Sequence, residues 1–181
     1  MRKIFLTLLI FSFLIFSTGF SFAQEIVPPN AGASDVQYTL PYPGILPDNP
    51  LYLLKAIRDN LINLFITDPL KKSDYDLLMA DKRLGASQML LAKGKDDLAI
   101  TTLSKAGNYF DEAISLANQA KNQGENASPI LSRLLTASLK HQEVIYQMEK
   151  SAKKGTTRYS LGLLEIRTKT FQDKVELVSG K

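Results

Sequence analysis

The chain has one histidine, His141, and Ser138 lies three residues before it, on the same side of any helix that holds both. A serine beside a histidine is the start of acyl-transfer chemistry, in which the imidazole takes the hydroxyl proton. That chemistry also needs a nucleophile turn, oxyanion donors and a third group to orient the ring. The residues around Ser138 and His141 supply none of these. His141 therefore reads as a partly buried structural histidine. An envelope hydrolase using His141 with nearby carboxylates remains the enzymatic alternative. A zinc site would have one histidine, no cysteine and otherwise only carboxylates. No catalytic residue, metal ligand or cofactor-binding residue is assigned.

The other polar clusters have plainer readings. Asp68, Asp74 and Asp76 lack the glycine-turned loop of a calcium site, and Asp74 and Asp76 point to different helix faces. Asp68 reads as a helix N-cap, and Asp96, Asp97, Asp111 and Glu112 as first-turn or solvated carboxylates. The Gly-Lys pair in "AKGKDD" has no P-loop spacing. Asn126-Ala127-Ser128 matches a glycosylation acceptor but reads as a helix start. Lys150, Lys153, Lys154 and Arg158 gather where a helix ends and suit its negative pole; weak contact with anionic lipid is the alternative use.

One stretch is left over. "YPGILPDNPLYLLKAIRD" joins three prolines to an apolar run, and it carries Tyr42, Tyr52, Lys55 and Arg58. Aromatic and cationic side chains on a stiff backbone are enriched at binding hot spots. These four are the candidate contacts for a protein partner, with closure of one end of a helical fold as their structural use.

The elements that must position these residues follow from pattern. The 181 residues are 45% hydrophobic and 22% charged, enough for one domain with a core. "MRKIFLTLLIFSFLIFSTGFSFA" has a basic start, an apolar run and a Ser-Phe-Ala ending, which reads as a signal peptide over residues 1–23. The competing reading is an uncleaved anchor over residues 4–22. Either one makes the protein secreted or extracytoplasmic. Without Arg2 and Lys3, the 22 basic residues become 20 against 18 acidic ones, a net charge of +2. So small and dispersed an excess argues against nucleic acid. The absence of cysteine leaves the fold to its core alone.

Residues 24–41 are small, polar and without period, a flexible tether. Asn49-Pro50, Asp68-Pro69 and Ser128-Pro129 each set a capping side chain before a proline at the first helical position. Gly94, Gly124, Gly155 and Gly180 mark helix ends. Five helices are expected, over residues 50–66, 69–93, 96–121, 129–154 and 157–178. The second carries Leu70, Ser73, Leu77, Ala80, Leu84, Ser87 and Leu91 on one face. In the third, alanines recur every seven residues from Ala99 to Ala120, so these two form a close antiparallel hairpin. A tetratricopeptide-like repeat is not expected, because this hairpin has no second copy. The fourth carries Leu131, Leu134, Ser138, His141, Ile145, Met148 and Ala152, and the fifth Leu161, Leu164, Thr168, Phe171, Val175 and Val178. The first helix reads as apolar nearly all round, with Leu51, Leu53 and Leu54 as its burying face, packed against the other four. Its excess of apolar surface also leaves room for a dimer contact. The expected fold is all-α: an up-down bundle of four long helices plus a short apolar N-terminal helix over residues 42–181.

The runs "PGILPDNPLYLLKAIRD", "TDPLKKSDYDLLMADKRL" and "LLAKGKDDLAI" resemble a family of exported bacterial helical domains known only as a domain of unknown function. The resemblance rests on Pro43-Gly44, Pro47-Asp48, Pro50-Leu51-Tyr52, Leu54-Lys55, Asp68-Pro69, Ala80, Arg83-Leu84 and Gly94, and covers residues 42–116. It implies an extracytoplasmic helical protein and brings no activity, cofactor or catalytic residue. The expectation is a non-enzymatic, exported protein-interaction or structural module at the cell envelope. It would touch a membrane only through an uncleaved N-terminus or weak surface contact.

Overall fold

The computed structural model describes residues 36–180; the expected signal peptide or anchor and tether residues 24–35 lie outside them. Five helices and no strand are found among the described residues: α1 (Tyr52–Phe65), α2 (Pro69–Ala92), α3 (Asp96–Asn122), α4 (Ser128–Ser151) and α5 (Gly155–Ser179). Each bound falls within three residues of its expected place.

Local chemistry fixes most of the ends. Asp68 accepts a hydrogen bond from the Lys71 backbone N–H at 3.0 Å, with Pro69 as the first helical residue, so α2 starts as its sequence predicts. At α1 the Asn49 carboxamide accepts from Leu51 N–H at 2.9 Å, which makes a turn ahead of the helix, not a cap on it. At α4 Ser128 is itself the first helical residue and no side chain caps the helix; Asn126 accepts from Ser128 N–H at 3.2 Å in the same kind of turn ahead of the helix. Gly94 (φ 71°) takes the left-handed conformation between α2 and α3, and its N–H reaches Leu91 O at 2.9 Å. Gly155 departs from expectation: it opens α5 instead of ending α4. The chain leaves α4 at Ala152, whose methyl is buried and whose carbonyl accepts from Arg158 at 2.9 Å, so packing ends the helix before a glycine is reached.

The core lies among the four long helices. α2 lies along α3 and α4 along α5, while α3 also packs on α5 and α2 on α4. One cluster holds Leu77, Phe110, Leu134, Phe171 and Val175; the other holds Leu84, Leu103, Ile145, Met148 and Leu161. Phe110 and Phe171 stack at 4.6 Å between ring centroids. The seven-residue alanine seam of α3 is buried from Ala99 to Ala120, facing Ser73, Ala80 and Ser87 of α2.

Ahead of α1, residues 36–50 form a strap along the outside of α2. Leu40 packs on the second cluster, and a Cβ at Gly85 would meet Pro43 at 3.7 Å. Asp48 ends the strap in ion pairs with Lys93 and Lys95, each at 3.1 Å. Tyr38 and Leu40, within the stretch expected to be a free tether, pack on the two core clusters. The strap accounts for two residues that α2 buries beyond its expected face, Asp81 under Tyr38 and Gly85 under Pro43; Asp76, Met79, Ala86 and Leu90 are buried as well.

α1 overturns an expectation. Its apolar residues do not pack on the long helices: Leu53 is 66% exposed, Leu54 65%, Leu64 73% and Phe65 79%, and its one buried residue is Asp59.

Candidate functional site

On a wheel of 100° per residue, Tyr52, Lys55, Ala56, Asp59 and Asn63 fall on one side of α1. All are buried or half-buried. The opposite arc, about 120° wide, holds Leu53, Leu54, Ile57, Leu61, Leu64 and Phe65, all exposed. The helix is therefore mounted with its polar side inward. Leu51, named with Leu53 and Leu54 as the burying face, is likewise exposed.

Polar bonds account for this mounting. Lys55 Nζ donates to the carbonyl of Pro43 at 3.0 Å, tying α1 to the strap, and stands 4.0 Å from Asp59. Arg58 donates to the same Asp59 oxygen from Nε at 3.1 Å and from Nη2 at 2.7 Å. Tyr75 of α2 donates its hydroxyl to the Asp59 carbonyl at 2.8 Å. Burial, and then the Asp59 charge, push the Tyr75 phenol up to about 12. Burial holds the Lys55 ammonium below its usual value against the pull of Asp59, and Arg83, Lys82 and Arg58 act in the same direction as burial.

Of the four candidate contacts, Lys55 and Arg58 meet at Asp59, and Tyr52 lies beside Lys55. Lys55 sits 5.5 Å over the Tyr52 ring and is spent on fixing α1. Arg58 has a largely exposed side chain on the rim of the apolar arc. Tyr42 is exposed on the strap, 64% open to solvent. The outward arc of α1 was missed in the sequence because six apolar residues outvoted the polar stripe. The signal was there: Tyr52, Lys55, Asp59 and Asn63 recur at helical spacing.

The second cluster of polar groups is internal. His141 Nε2 and Asp81 Oδ1 are 2.8 Å apart, and the Tyr38 hydroxyl donates to the other Asp81 oxygen at 2.6 Å. Both the histidine and the aspartate are out of water, and the imidazole meets the Phe110 ring edge-on at 4.9 Å. Burial first, then Asp81, raises the Tyr38 phenol far above its ordinary value. Ser138 turns its hydroxyl to the Leu135 carbonyl at 2.7 Å, so it is not aimed at His141. The cleft beside His141, lined by Leu103, Gly107, Ile145 and Arg167, has room for about one water. This chain of bonds joins strap, α2 and α4, and its geometry suits holding them together.

The remaining candidates also have structural uses. Lys154 pairs with Asp96 at 3.2 Å and Lys150 lies 5.0 Å over the Tyr146 ring. Asp74 pairs with Arg133. Asp76 is fully buried with neither oxygen hydrogen-bonded by protein. Among the described residues no group of three or more carboxylate, histidine or cysteine side chains is placed to hold a metal, and no helix is long and apolar enough to cross a membrane.

A family model described as a domain of unknown function (DUF5667) matches residues 44–155. The match starts in the strap, takes in α1 to α4 and stops at the first residue of α5, although α5 supplies Leu161, Phe171 and Val175 to the core. No curated protein and no solved structure matches the chain.

Proposed function

The chain belongs to the DUF5667 family, a domain of unknown function, and on that premise we propose that it is a non-enzymatic docking module of the cell envelope. Its four long helices form an up-down bundle that carries α1 as a mounted contact helix. The single observation behind this reading is the inverted mounting of α1: Lys55 and Asp59 face the body while Leu54, Ile57, Leu61 and Leu64 face outward. Soluble monomers rarely expose contiguous apolar patches beyond a few hundred Å². Six large apolar side chains on one short helix are a surface that gains by being covered. Export through residues 1–23, or anchoring through residues 4–22, belongs to the same reading.

The test uses the absence of cysteine, which makes any introduced thiol unique. A Leu61→Cys chain in intact producing cells should resist a membrane-impermeant maleimide, while a Tyr146→Cys control on α4 is labelled. Equal labelling of both would show that nothing covers α1 and would remove the docking function.

A further inference from the structure

α1 supplies no residue to either core cluster, so its place on the body rests on its polar side. That side is held from two directions. Tyr75 reaches it directly from α2, through the Asp59 carbonyl at 2.8 Å. Lys55 reaches outward to the Pro43 carbonyl at 3.0 Å, and Pro43 belongs to the strap. The second hold is only as firm as the strap itself.

The strap lies on the body like a bound peptide. Val36, Tyr38 and Leu40 are half-buried while Gln37 and Thr39 between them are exposed, the alternation of an extended chain with one side against a surface. Pro43 and Leu46 are buried farther on. The leading end is fixed in the core: the Tyr38 hydroxyl donates to Asp81 at 2.6 Å, and the other Asp81 oxygen lies 2.8 Å from His141 Nε2. One buried carboxylate thus joins the strap, α2 and α4. Five residues of extended chain, about 17 Å, then lead from Tyr38 to Pro43. The route from the buried carboxylate to α1 is continuous: Asp81, Tyr38, the strap to Pro43, and Lys55.

Resting on the docking reading, we propose that the strap is a latch that regulates that site. With Tyr38 bonded to Asp81, the Pro43 carbonyl is held where Lys55 meets it and α1 presents its apolar arc. With Tyr38 released, the strap lifts, the Lys55 bond is lost, and α1 keeps Tyr75 but loses its fixed orientation. By linkage, whatever covers the arc also favours the latched strap.

The experiment measures amide exchange, helix by helix, in the purified full chain and in variants of it, with nothing added to cover α1. Tyr38→Phe removes the hydroxyl and keeps the ring. Amides of α1 should exchange about fivefold faster, with α3 and α5 unaltered. Ser73→Ala, which removes a core hydrogen bond away from this route, should leave α1 at the wild-type rate. Once Lys55→Ala has cut the route, adding Tyr38→Phe should speed α1 by less than about twofold more, since both changes break the same chain of contacts. Unchanged α1 exchange in Tyr38→Phe, acceleration spread equally over all the helices, or effects of Tyr38→Phe and Lys55→Ala that multiply in full would each overturn the latch. The docking function survives any of these, because the chain is tested uncovered. Exchange of wild-type α1 at the rate of an unfolded chain removes the mounted helix, and with it both readings. If Tyr38→Phe does not fold, Leu40→Ala, which loosens the strap without touching Asp81, takes its place in the same comparison.

Discussion

The hydroxyl of Ser73 on α2 donates to the carbonyl of Ala113 on α3 at 2.7 Å, inside the core. Fourteen residues on along α2, and fourteen back along α3, Ser87 repeats the bond to Ala99 at 2.8 Å. Ala80 and Ala106 fall midway between, both buried. The pair is thus antiparallel with a two-heptad register, and its small side chains let the hydroxyls reach backbone oxygens of the facing helix.

Ser73→Ala should cost only about 0.5–1.5 kcal/mol, because the accepting carbonyl lies within α3 and the small volume is kept. Ala106→Leu inserts bulk where the backbones are closest and should cost about 1–3 kcal/mol or more. Urea midpoints of the two variants check the order. A Leu at 106 less costly than an Ala at 73 would refute close approach of α2 and α3.

His141→Ala should destabilise by about 3–5 kcal/mol, since it leaves Asp81 buried with Tyr38 alone and uncovers the edge of Phe110. Tyr38→Phe keeps the ring and loses one bond, about 1–3 kcal/mol. The pH signature is separate. The Tyr38 phenol titrates above its unfolded value of 10.0, so the native state keeps a proton that the unfolded chain releases. Stability present below pH 10 is then lost as pH rises past it, and Tyr75 adds to the same loss. Tyr38→Phe should flatten that alkaline decline. If wild type and variant decline in parallel, Tyr38 is not held as described.

Much of this was legible from periodicity. Every residue read onto the inner faces of α3 and α4 is buried, from Ala99 to Ala120 and from Leu131 to Ala152. A helix whose partners are helices of like spacing declares its core face by pattern alone. The same reading misjudged what lies outside that repeat. Asp81 and Gly85 are buried because an extended strap crosses them, and a strap without period leaves no trace in α2 itself. α1 was inverted because hydrophobic residues were presumed to face inward, whereas Lys55 and Asp59 are held there by bonds to Pro43 and Tyr75. Ser128 is the first helical residue of α4 and not its cap, a shift of one residue within the uncertainty of any helix start read from pattern.

Lys55→Ala tests that inverted mounting. It removes the bond to Pro43 and the cation beside Asp59, while the core of α2 to α5 is untouched. Backbone amides of α1 should exchange about tenfold faster or more, with α2 to α5 unaltered and the unfolding midpoint moved by only a few degrees. Global unfolding by Lys55→Ala would make α1 part of the core and would contradict its exposure.

Asp76 gives the sharpest pH prediction, because it is wholly buried and neither oxygen has a protein hydrogen bond. Burial first, and then the charge of Glu112, push its carboxyl up to about 6, with Lys72 opposing. The native state therefore binds a proton between the unfolded value of 3.8 and about 6, where the unfolded chain is already ionised. Stability contributed by this group falls as pH rises through that window and then levels off, a loss on the order of 3 kcal/mol. Asp48 and Asp96 work the opposite way. Lysine hydrogen bonds to Asp48, and the Thr157 hydroxyl and Lys154 on Asp96, hold both below the usual carboxylate range, so their stabilisation fades on acidification. The total curve mixes both signs, and the difference between wild type and Asp76→Asn isolates one. The variant should be more stable by about 1–3 kcal/mol at pH 7 and gain little near pH 4, read from urea midpoints at the two values. A gain equal at both pH values would mean that ionisation of Asp76 is not the cause, and a loss at pH 7 would mean that its carboxylate is needed where it lies.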